Sequence, residues 1–335
     1  MASPKSLRSD ASGAIGMQAK RTVDELFTAA LRRERPALAR LLSLIERGSN
    51  DARSIGRLSF PLSGNAYTVG ITGAPGAGKS TLTAAIIGHV RSRTLEIAVL
   101  AIDPSSPFTG GAILGDRVRM QDHATDDGVF IRSMATRGHL GGLSLSTPEA
   151  IRLLDAVGYP WVMIETVGVG QVEVEIAGKA DTTVVVVNPG WGDAVQAAKA
   201  GLMEIADVFV INKSDRSGAE QTRHDLEAML DLSDRPRDGW RPPIVSTVGT
   251  TGQGANDVWA AVLDHRAAVT ADGTLIRRRE VRLHDELRDI VARRLEQRAL
   301  AMFGSERWES IRHDVLQRTV DPWSAADALL STIEA

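Results

Sequence analysis

The chain has 335 residues, a length that suits one large α/β domain with extensions or two modest domains. Its formal net charge of −3 provides no basic field for nucleic acid. The sequence contains no run of about 18 apolar residues that could span a membrane. Cysteine is absent, which excludes disulfides and thiolate metal sites. We therefore expect a cytoplasmic protein that binds neither nucleic acid nor membranes.

The first part of the chain is predicted to be a tail followed by helices. Residues 1–20 carry scattered charges and lack an apolar signal core, so we expect them to be disordered rather than a transit peptide. Apolar residues then recur at helical spacing through Thr22–Arg47, which predicts two helices separated at Pro36. The polar segment Gly48–Gly64 is predicted to be a connector. Together, residues 21–64 form an N-terminal helical region.

From Tyr67 onwards, short apolar runs alternate with helical stretches. The runs are rich in Val and Ile, as in strands that are covered on both faces. The predicted strands are Tyr67–Thr72, Ile97–Ile102, Val129–Ile131, Trp161–Ile164, Thr183–Val187, Val208–Ile211 and Ile244–Val245. This pattern predicts an α/β fold over residues 65–270, with a mostly parallel, doubly wound sheet flanked by N-terminal and C-terminal helical extensions.

The C-terminal region, residues 271–335, is predicted to be helical. Between Ile276 and Ala299, eight arginines and five acidic residues surround an apolar stripe. The stripe consists of Leu283, Leu287, Ile290, Val291 and Leu295. Such charges are typical of a solvated helix face, and the same segment would also suit a docking or dimerisation arm.

The segment after the first predicted strand matches the P-loop pattern GxxxxGK[ST] at every fixed position. Its glycines let backbone N–H groups turn towards phosphates, and the N-terminus of the following helix adds a favourable dipole. Lys79 is expected to bridge the β- and γ-phosphates, and the Ser80 hydroxyl to bind Mg²⁺. A chance glycine-rich turn is disfavoured because a strand precedes the motif and a helix follows it. The predicted nucleotide-binding residues are Gly73, Ala74, Pro75, Gly76, Ala77, Gly78, Lys79, Ser80 and Thr81.

A second motif predicts which base is bound. The strand Val208–Ile211 runs into Asn212-Lys213-Ser214-Asp215, which matches the guanine signature NKxD. A buried Asp215 would accept hydrogen bonds from two donors of guanine, a pair that adenine lacks. Asn212 is expected to tie neighbouring loops together and Lys213 to stack on the base. The alternative is that the four residues only cap a helix, with Ser214 or Asp215 at the N-cap. The loop expected to contact the base oxygen through backbone N–H groups is Ser246, Thr247 and Val248.

Catalytic and switch residues are predicted where another strand ends. Glu165-Thr166-Val167-Gly168 resembles the DxxG element of GTPases, in which the carboxylate of Glu165 would hold Mg²⁺ through water and Gly168 would bind the γ-phosphate. Val169 stands where Ras-type GTPases carry a glutamine that orients water. Intrinsic hydrolysis of GTP to GDP is therefore predicted to be slow, with Gln171 a weak substitute.

Asp103 opens a glycine-rich polar loop that can change conformation at low cost. Asp103 and Asp116 are candidate ligands of Mg²⁺ or of the attacking water, and join Lys79 and Glu165 as the predicted catalytic residues. Arg117 is a candidate for stabilising charge in the transition state. Each of these residues has a structural alternative: Asp103 and Asp116 could cap helices, and Arg117 could be a surface residue.

Five segments carry a longer and more specific pattern than the P-loop alone: Gly73–Thr81, Asp103–Met120, Phe130–Ser144, Glu165–Gln171 and Asn212–Asp215. Together they resemble the MeaB/ArgK family, the G-protein chaperones of cobalamin-dependent acyl-CoA mutases. The resemblance covers essentially the whole chain beyond about residue 20. It implies a homodimeric GTPase that gates adenosylcobalamin loading and rescues an inactivated mutase. It also implies a switch loop over residues 188–193, in which Gly192 and Asp193 relay the nucleotide state to the mutase.

The chain departs from the family pattern at Trp191, at Gln196-Ala197-Ala198 and at Ser246-Thr247-Val248. Two other functions deserve comparison. A metal-insertion GTPase would need clustered His or Cys ligands, whereas the seven histidines are scattered and Cys is absent. A transport-associated nucleotidase that uses ATP is disfavoured by Asn212–Asp215.

Overall fold

A computed structural model describes most of the chain beyond the predicted N-terminal tail. Inside its helices and strands, the side chains of residues 103, 104, 135, 136 and 142–145 lie outside the description. The described residues are 21–104, 123, 125–136, 142–166, 179–190, 204–232, 239–301 and 303–331.

Three helices precede the sheet: α1 (Val23–Leu31), α2 (Arg35–Glu46) and α3 (Asn50–Ser59). Thr22 caps α1, since its hydroxyl accepts the Glu25 N–H at 3.3 Å. Pro36 lies in the first turn of α2, where a missing N–H costs no hydrogen bond.

The prediction of a polar connector over Gly48–Gly64 is wrong, because α3 occupies most of it. The helix buries Ala52, Ile55 and Ser59, which are spaced to lie on one face. Only two of these three are apolar, so the stripe is too sparse to be recognised among the polar residues around it.

All seven predicted strands are present. They pair in parallel throughout and lie in the order β3-β2-β4-β1-β5-β6-β7. The strands are β1 (Tyr67–Gly73), β2 (Ile97–Pro104), β3 (Val129–Thr136), β4 (Trp161–Thr166), β5 (Thr182–Val187), β6 (Val208–Asn212) and β7 (Ile244–Thr247).

Helices cover both faces of the sheet, as the doubly wound prediction requires. Within β2, Ile97 and Val99 belong to one apolar core and Ala98 and Leu100 to the other, because successive side chains point to opposite faces. The first core is shared with α4 (Lys79–Ser92), α6 (Ala219–Asp231) and α7 (Ala255–Ala271), and the second with α1–α3 and α5 (Gly142–Ala156).

The strand order reverses around β1, which lies between β4 and β5. In open parallel sheets, ligands bind outside the carboxyl ends of the strands at such a switch point. The end of β1 leads into the P-loop, and the ends of β4 and β6 carry Glu165 and Asn212. The topology therefore gathers the predicted motifs at one edge of the sheet.

The C-terminal helices are α8 (Thr274–Leu300), α9 (Glu306–Leu316) and α10 (Pro322–Leu330). Among the residues of α8, only Thr274 is buried, so apolar packing does little to hold this helix. Much of its apolar stripe is exposed: Leu283 (47%), Leu287 (61%), Val291 (48%) and Leu295 (52%). In the described part of the chain, we find no helix with the length and apolar character needed to cross a membrane.

Charged contacts hold the start of α8 against the amino edge of the sheet. Asp181, just before β5, accepts hydrogen bonds from Arg279 Nη2 at 2.6 Å and from Arg282. Asp207, just before β6, lies 3.3 Å from Arg278 Nη1. Both carboxylates are about 1% exposed. These arginines, which the sequence suggested to be a solvated face, form with Asp181 and Asp207 a cluster that we call the arginine latch.

Candidate nucleotide site

The P-loop connects β1 to α4 through backbone conformations that favour glycine. Gly76 and Gly78 have φ values of +68° and +90°, in the left-handed region. At Gly73 (φ +135°), a Cβ atom would lie 1.9 Å from the Val186 carbonyl oxygen. A side chain at Gly73 would therefore clash with β5, and glycine at Gly76 and Gly78 allows the left-handed turns into the helix without strain.

Lys79 and Ser80 stand in the first turn of α4, both nearly buried. Lys79 Nζ donates to the carbonyl oxygens of Gly73 at 2.8 Å and Ala74 at 3.1 Å. Ser80 Oγ donates to Glu165 Oε1 at 2.5 Å, and Glu165 is fully buried. A hydroxyl beside a carboxylate at a phosphate-binding loop is an oxygen donor set that suits Mg²⁺. The structure thus brings together three of the predicted catalytic and metal-binding residues.

Two threonines that sequence reasoning did not single out join β1 to β4 beside this pair. Thr166 Oγ1 lies 3.1 Å from Thr72 Oγ1 and donates to the Ile71 carbonyl oxygen at 3.3 Å. Both side chains are buried. They fix the end of β4, and with it Glu165, relative to the P-loop strand.

Asn212 connects the P-loop to the end of β7. Its Nδ2 donates to the Ala77 carbonyl oxygen at 2.8 Å. Its Oδ1 accepts the Thr247 hydroxyl at 3.1 Å and the Gly249 N–H at 2.9 Å. One buried amide therefore holds three segments of the site together, and Gly249 is a contact that the motifs did not reveal.

Lys213 and Asp215 lie at the mouth of the site. Lys213 takes a left-handed φ of +59°, and its Nζ donates to the Gly76 carbonyl oxygen at 2.6 Å. Asp215 is exposed, which corrects the expectation of a buried carboxylate. Any burial of Asp215 must therefore come from the bound base. The turn containing it is fixed by the Ser214 N–H, which donates to the Thr247 carbonyl oxygen at 3.0 Å.

The predicted base-oxygen loop is more constrained than its sequence suggested. Ser246 and Thr247 are the last residues of β7. The Val248 N–H donates to the Gln253 carbonyl oxygen at 3.0 Å. A contact from Val248 to a base would have to compete with this bond.

The remaining predicted residues lie partly or wholly outside the description. The backbone of Asp103 is in β2 and pairs with Ala135 of β3, but its side chain is not described. The others lie outside the described residues altogether: Asp116, Arg117, Gly168, Val169, Gln171, Gly192 and Asp193.

Residues 38–303 match the family model described as methylmalonyl-CoA mutase-associated GTPase MeaB. The chain belongs to the MeaB family. A putative GTPase of Pyrococcus abyssi is 51% identical over 93% of this chain and 97% of its own length. GTPase ArgK of Escherichia coli is 41% identical over 72% of this chain and 75% of its own. A mouse protein, the mitochondrial methylmalonic aciduria type A homolog, is 30% identical over 94% of this chain and 80% of its own.

A solved structure shares the fold. The structure described as LAO/AO transport system kinase superposes with a TM-score of 0.70 at 28% identity, covering 98% of this chain and all of that one. The MeaB-family chain is a GTPase with the P-loop GTPase fold, as the sequence motifs predicted.

Proposed function

We propose that this MeaB-family GTPase is a chaperone for a cobalamin-dependent acyl-CoA mutase. It gates the loading of adenosylcobalamin and protects or reactivates the enzyme. The observation that carries the proposal is the family match over residues 38–303, in a family described as mutase-associated. The mouse relative named for methylmalonic aciduria supports the same metabolic setting. The partner is methylmalonyl-CoA mutase or a related mutase, and we place the complex in the cytoplasm.

In the proposed site, GTP or GDP binds with its phosphates in the P-loop. Lys79 exchanges its carbonyl contacts for the β- and γ-phosphates, since it already points into the loop. Ser80 and, through water, Glu165 would hold Mg²⁺, since their side chains already lie together. Asp103 and Asp116 are further candidate ligands. Mg²⁺, when bound, would neutralise charge on the phosphates. Lys79 would stabilise the charge that develops as the γ-phosphate leaves.

The base-binding half of the proposed site is built from Asn212, Lys213 and Asp215. The hydrogen bonds of Asn212 support a preorganised pocket, because they fix the P-loop and the end of β7 before any base arrives. Asp215 then selects guanine by accepting hydrogen bonds from two donors of the base, while the stem of Lys213 covers the base.

Hydrolysis is proposed to be slow until the mutase binds. Val169 cannot orient water, and Gly168 would report the γ-phosphate. Gly192 and Asp193, beyond the end of β5, would relay that signal to the mutase, with Gln171 in the same switch system. A partner that orders these residues would supply the missing preorganisation.

We also propose a homodimer formed largely by the C-terminal region. The exposed stripe of α8 supports this, since Leu287, Val291 and Leu295 together line one groove on the part of the helix that lies beyond the arginine latch. Apolar surface exposed in this way is typical of a protein interface.

The proposed chaperone activity is tested by cofactor loading. Apo forms of methylmalonyl-CoA mutase and related mutases from the same host would be mixed with adenosylcobalamin and the purified protein, and bound cobalamin followed by absorbance. Loading is expected to differ between GTP, GDP and a non-hydrolysable GTP analogue, and Lys79→Ala should abolish the difference. Loading that is the same for every mutase with any nucleotide, and without the protein, would contradict the proposal.

A further inference from the structure

Arg223 lies on α6, the helix that follows the NKxD motif, and reaches across to β7. Its Nη1 donates to the Ile244 carbonyl oxygen at 3.1 Å, and its Nη2 donates to Ser246 Oγ at 3.0 Å. The side chain is 30% exposed, and Glu227 lies 3.8 Å from the same guanidinium. Neither motif includes Arg223, so sequence reasoning had no reason to select it.

The contact matters because β7 has four residues and lies at the edge of the sheet, where β6 is its one neighbour among the described strands. The Phe209 N–H donates to the Pro243 carbonyl oxygen, so the next carbonyl of β7, that of Ile244, points away from β6. Arg223 binds this outward carbonyl. The hydrogen bonds of Arg223 therefore restrain the side of β7 that faces away from β6. The hydrogen bonds of β6 restrain its other side.

The inner side of the same strand end is held by the base motif. The Thr247 hydroxyl donates to Asn212, and the Thr247 carbonyl oxygen accepts the Ser214 N–H. Ser246 and Thr247 are consecutive, so the end of β7 is fixed from both directions. Arg223 lies on α6, the helix that follows Asp215. The contacts from Asn212 and Ser214 on one side of β7, and those from Arg223 on the other, therefore all come from the chain in or next to the base motif.

We propose that Arg223 is a positioning residue for guanine recognition that acts through Ser246. It sets the distance between the end of β7 and the base motif, so that the two segments fit a base without reorganising. The proposal rests on the proposed base site and adds a residue to it. The P-loop follows a different strand, β1, so binding of phosphates alone should not depend on Arg223. Loss of preorganisation lowers affinity without removing a direct contact.

The experiment compares full-length wild type with Arg223→Ala, Arg223→Lys, Ser246→Ala and the double variant Arg223→Ala/Ser246→Ala. Each would be titrated with GDP, with ADP and with tripolyphosphate, which probes the P-loop alone. Arg223→Ala should weaken GDP binding about five- to tenfold and leave tripolyphosphate binding within about twofold. Arg223→Lys should be intermediate, because a single ammonium nitrogen cannot reproduce the planar fork by which Nη1 and Nη2 reach Ile244 and Ser246 separately. The double variant should lose less than the product of the single losses.

Glu227→Gln is the matched control, since it removes the ion pair that Arg223 Nη1 makes within α6 but neither of the hydrogen bonds to β7, and it should bind GDP like wild type. If Arg223→Ala lowers the melting temperature but leaves the ratio of GDP to tripolyphosphate affinity unchanged, Arg223 only stabilises the edge strand, and the proposal is wrong. Independent effects in the double variant would show that it does not act through Ser246. A wild type with no preference for GDP over ADP would overturn the base site itself, a result distinct from either.

Discussion

Asn212 shows how much of the site depends on one side chain. Its amide donates to Ala77 and accepts from Thr247 and Gly249, so its two ends serve different loops. The NKxD motif predicts an asparagine that ties loops together. It does not name the partners, because they are 35 or more residues away along the chain.

At the base, Asp215→Asn should replace an acceptor with a donor. We expect GDP affinity to fall roughly a hundredfold or more and xanthine nucleotides to be accepted, because the exchanged amide matches the xanthine carbonyl. Titration calorimetry with GDP, XDP and ADP measures this. Asp225→Asn, at an exposed carboxylate that pairs with Gln221 on α6, is the control and should bind GDP normally. Equal affinity of the wild type for GDP and ADP would refute the assignment.

The sequence could identify motif residues but not their environment. Lys79, Ser80 and Asn212 were found because the spacing of a P-loop and an NKxD motif is dictated by phosphate and base geometry. The hydrogen bond between Ser80 and Glu165 joins residues 85 positions apart. The exposure of Asp215 and the contact of Arg223 with β7 depend likewise on tertiary packing, which leaves no local pattern.

At the scale of elements, buried strands were predictable and sparse helices were not. Runs of Val and Ile in β5 and β6 have a single explanation in a covered parallel sheet, and both strands are wholly buried. In α3, Ile55 faces the core while its neighbours are polar, so composition suggested a loop. In α8, Arg279 reads like a solvated arginine because its acidic partner is 98 residues distant.

The arginine latch should contribute strongly to stability. Asp181→Asn would leave Arg279 and Arg282 without their buried carboxylate, and removing one partner of a buried pair costs about 3–5 kcal/mol. Urea unfolding measures the loss. Asp285→Asn is the control on the same helix, because Asp285 is 46% exposed, pairs with His284 and Arg288 of α8, and does not line the proposed dimer groove. Its cost should stay below about 0.5 kcal/mol, and a similar cost for both variants would contradict the latch.

The latch also predicts loss of stability in acid. Burial opposes ionisation of Asp181, but hydrogen bonding to Arg279 and the charges of Arg282 and Arg279 outweigh it and hold its pKa below the ordinary 3.8. The pKa of Asp207 is lowered against burial in the same way, by His265 and Arg278. A folded pKa below the unfolded one gives stabilisation that is complete above about pH 5 and declines as the pH falls through the unfolded and then the folded pKa. Urea midpoints between pH 3 and 7 should fall in acid, and less so in Asp181→Asn.

At the scale of the whole molecule, the C-terminal helices cannot be deleted without also removing contacts that stabilise the sheet. Deleting the chain after residue 270 would strip Asp181 and Asp207 of their arginine partners as well as removing the stripe. Point substitutions in the exposed stripe test the proposed dimer without disturbing the latch.

Light scattering with size exclusion should give about 72 kDa, twice the 35.9 kDa of one chain. Leu287→Glu with Val291→Glu should give monomers, because it places charge in the apolar groove. Leu232→Glu, at another exposed leucine remote in sequence, is the control and should remain dimeric. A dimer that survives the double substitution would place the interface elsewhere.

The most direct test of the GTP-switched chaperone is single-turnover GTP hydrolysis with and without the candidate mutases from the host. Alone, the protein should turn over on the order of once per minute or less, and a cobalamin-dependent acyl-CoA mutase should accelerate it. Lys79→Ala should stay inactive in both conditions, which ties the signal to the P-loop. Fast hydrolysis by the isolated protein, unchanged by any mutase, would contradict the account.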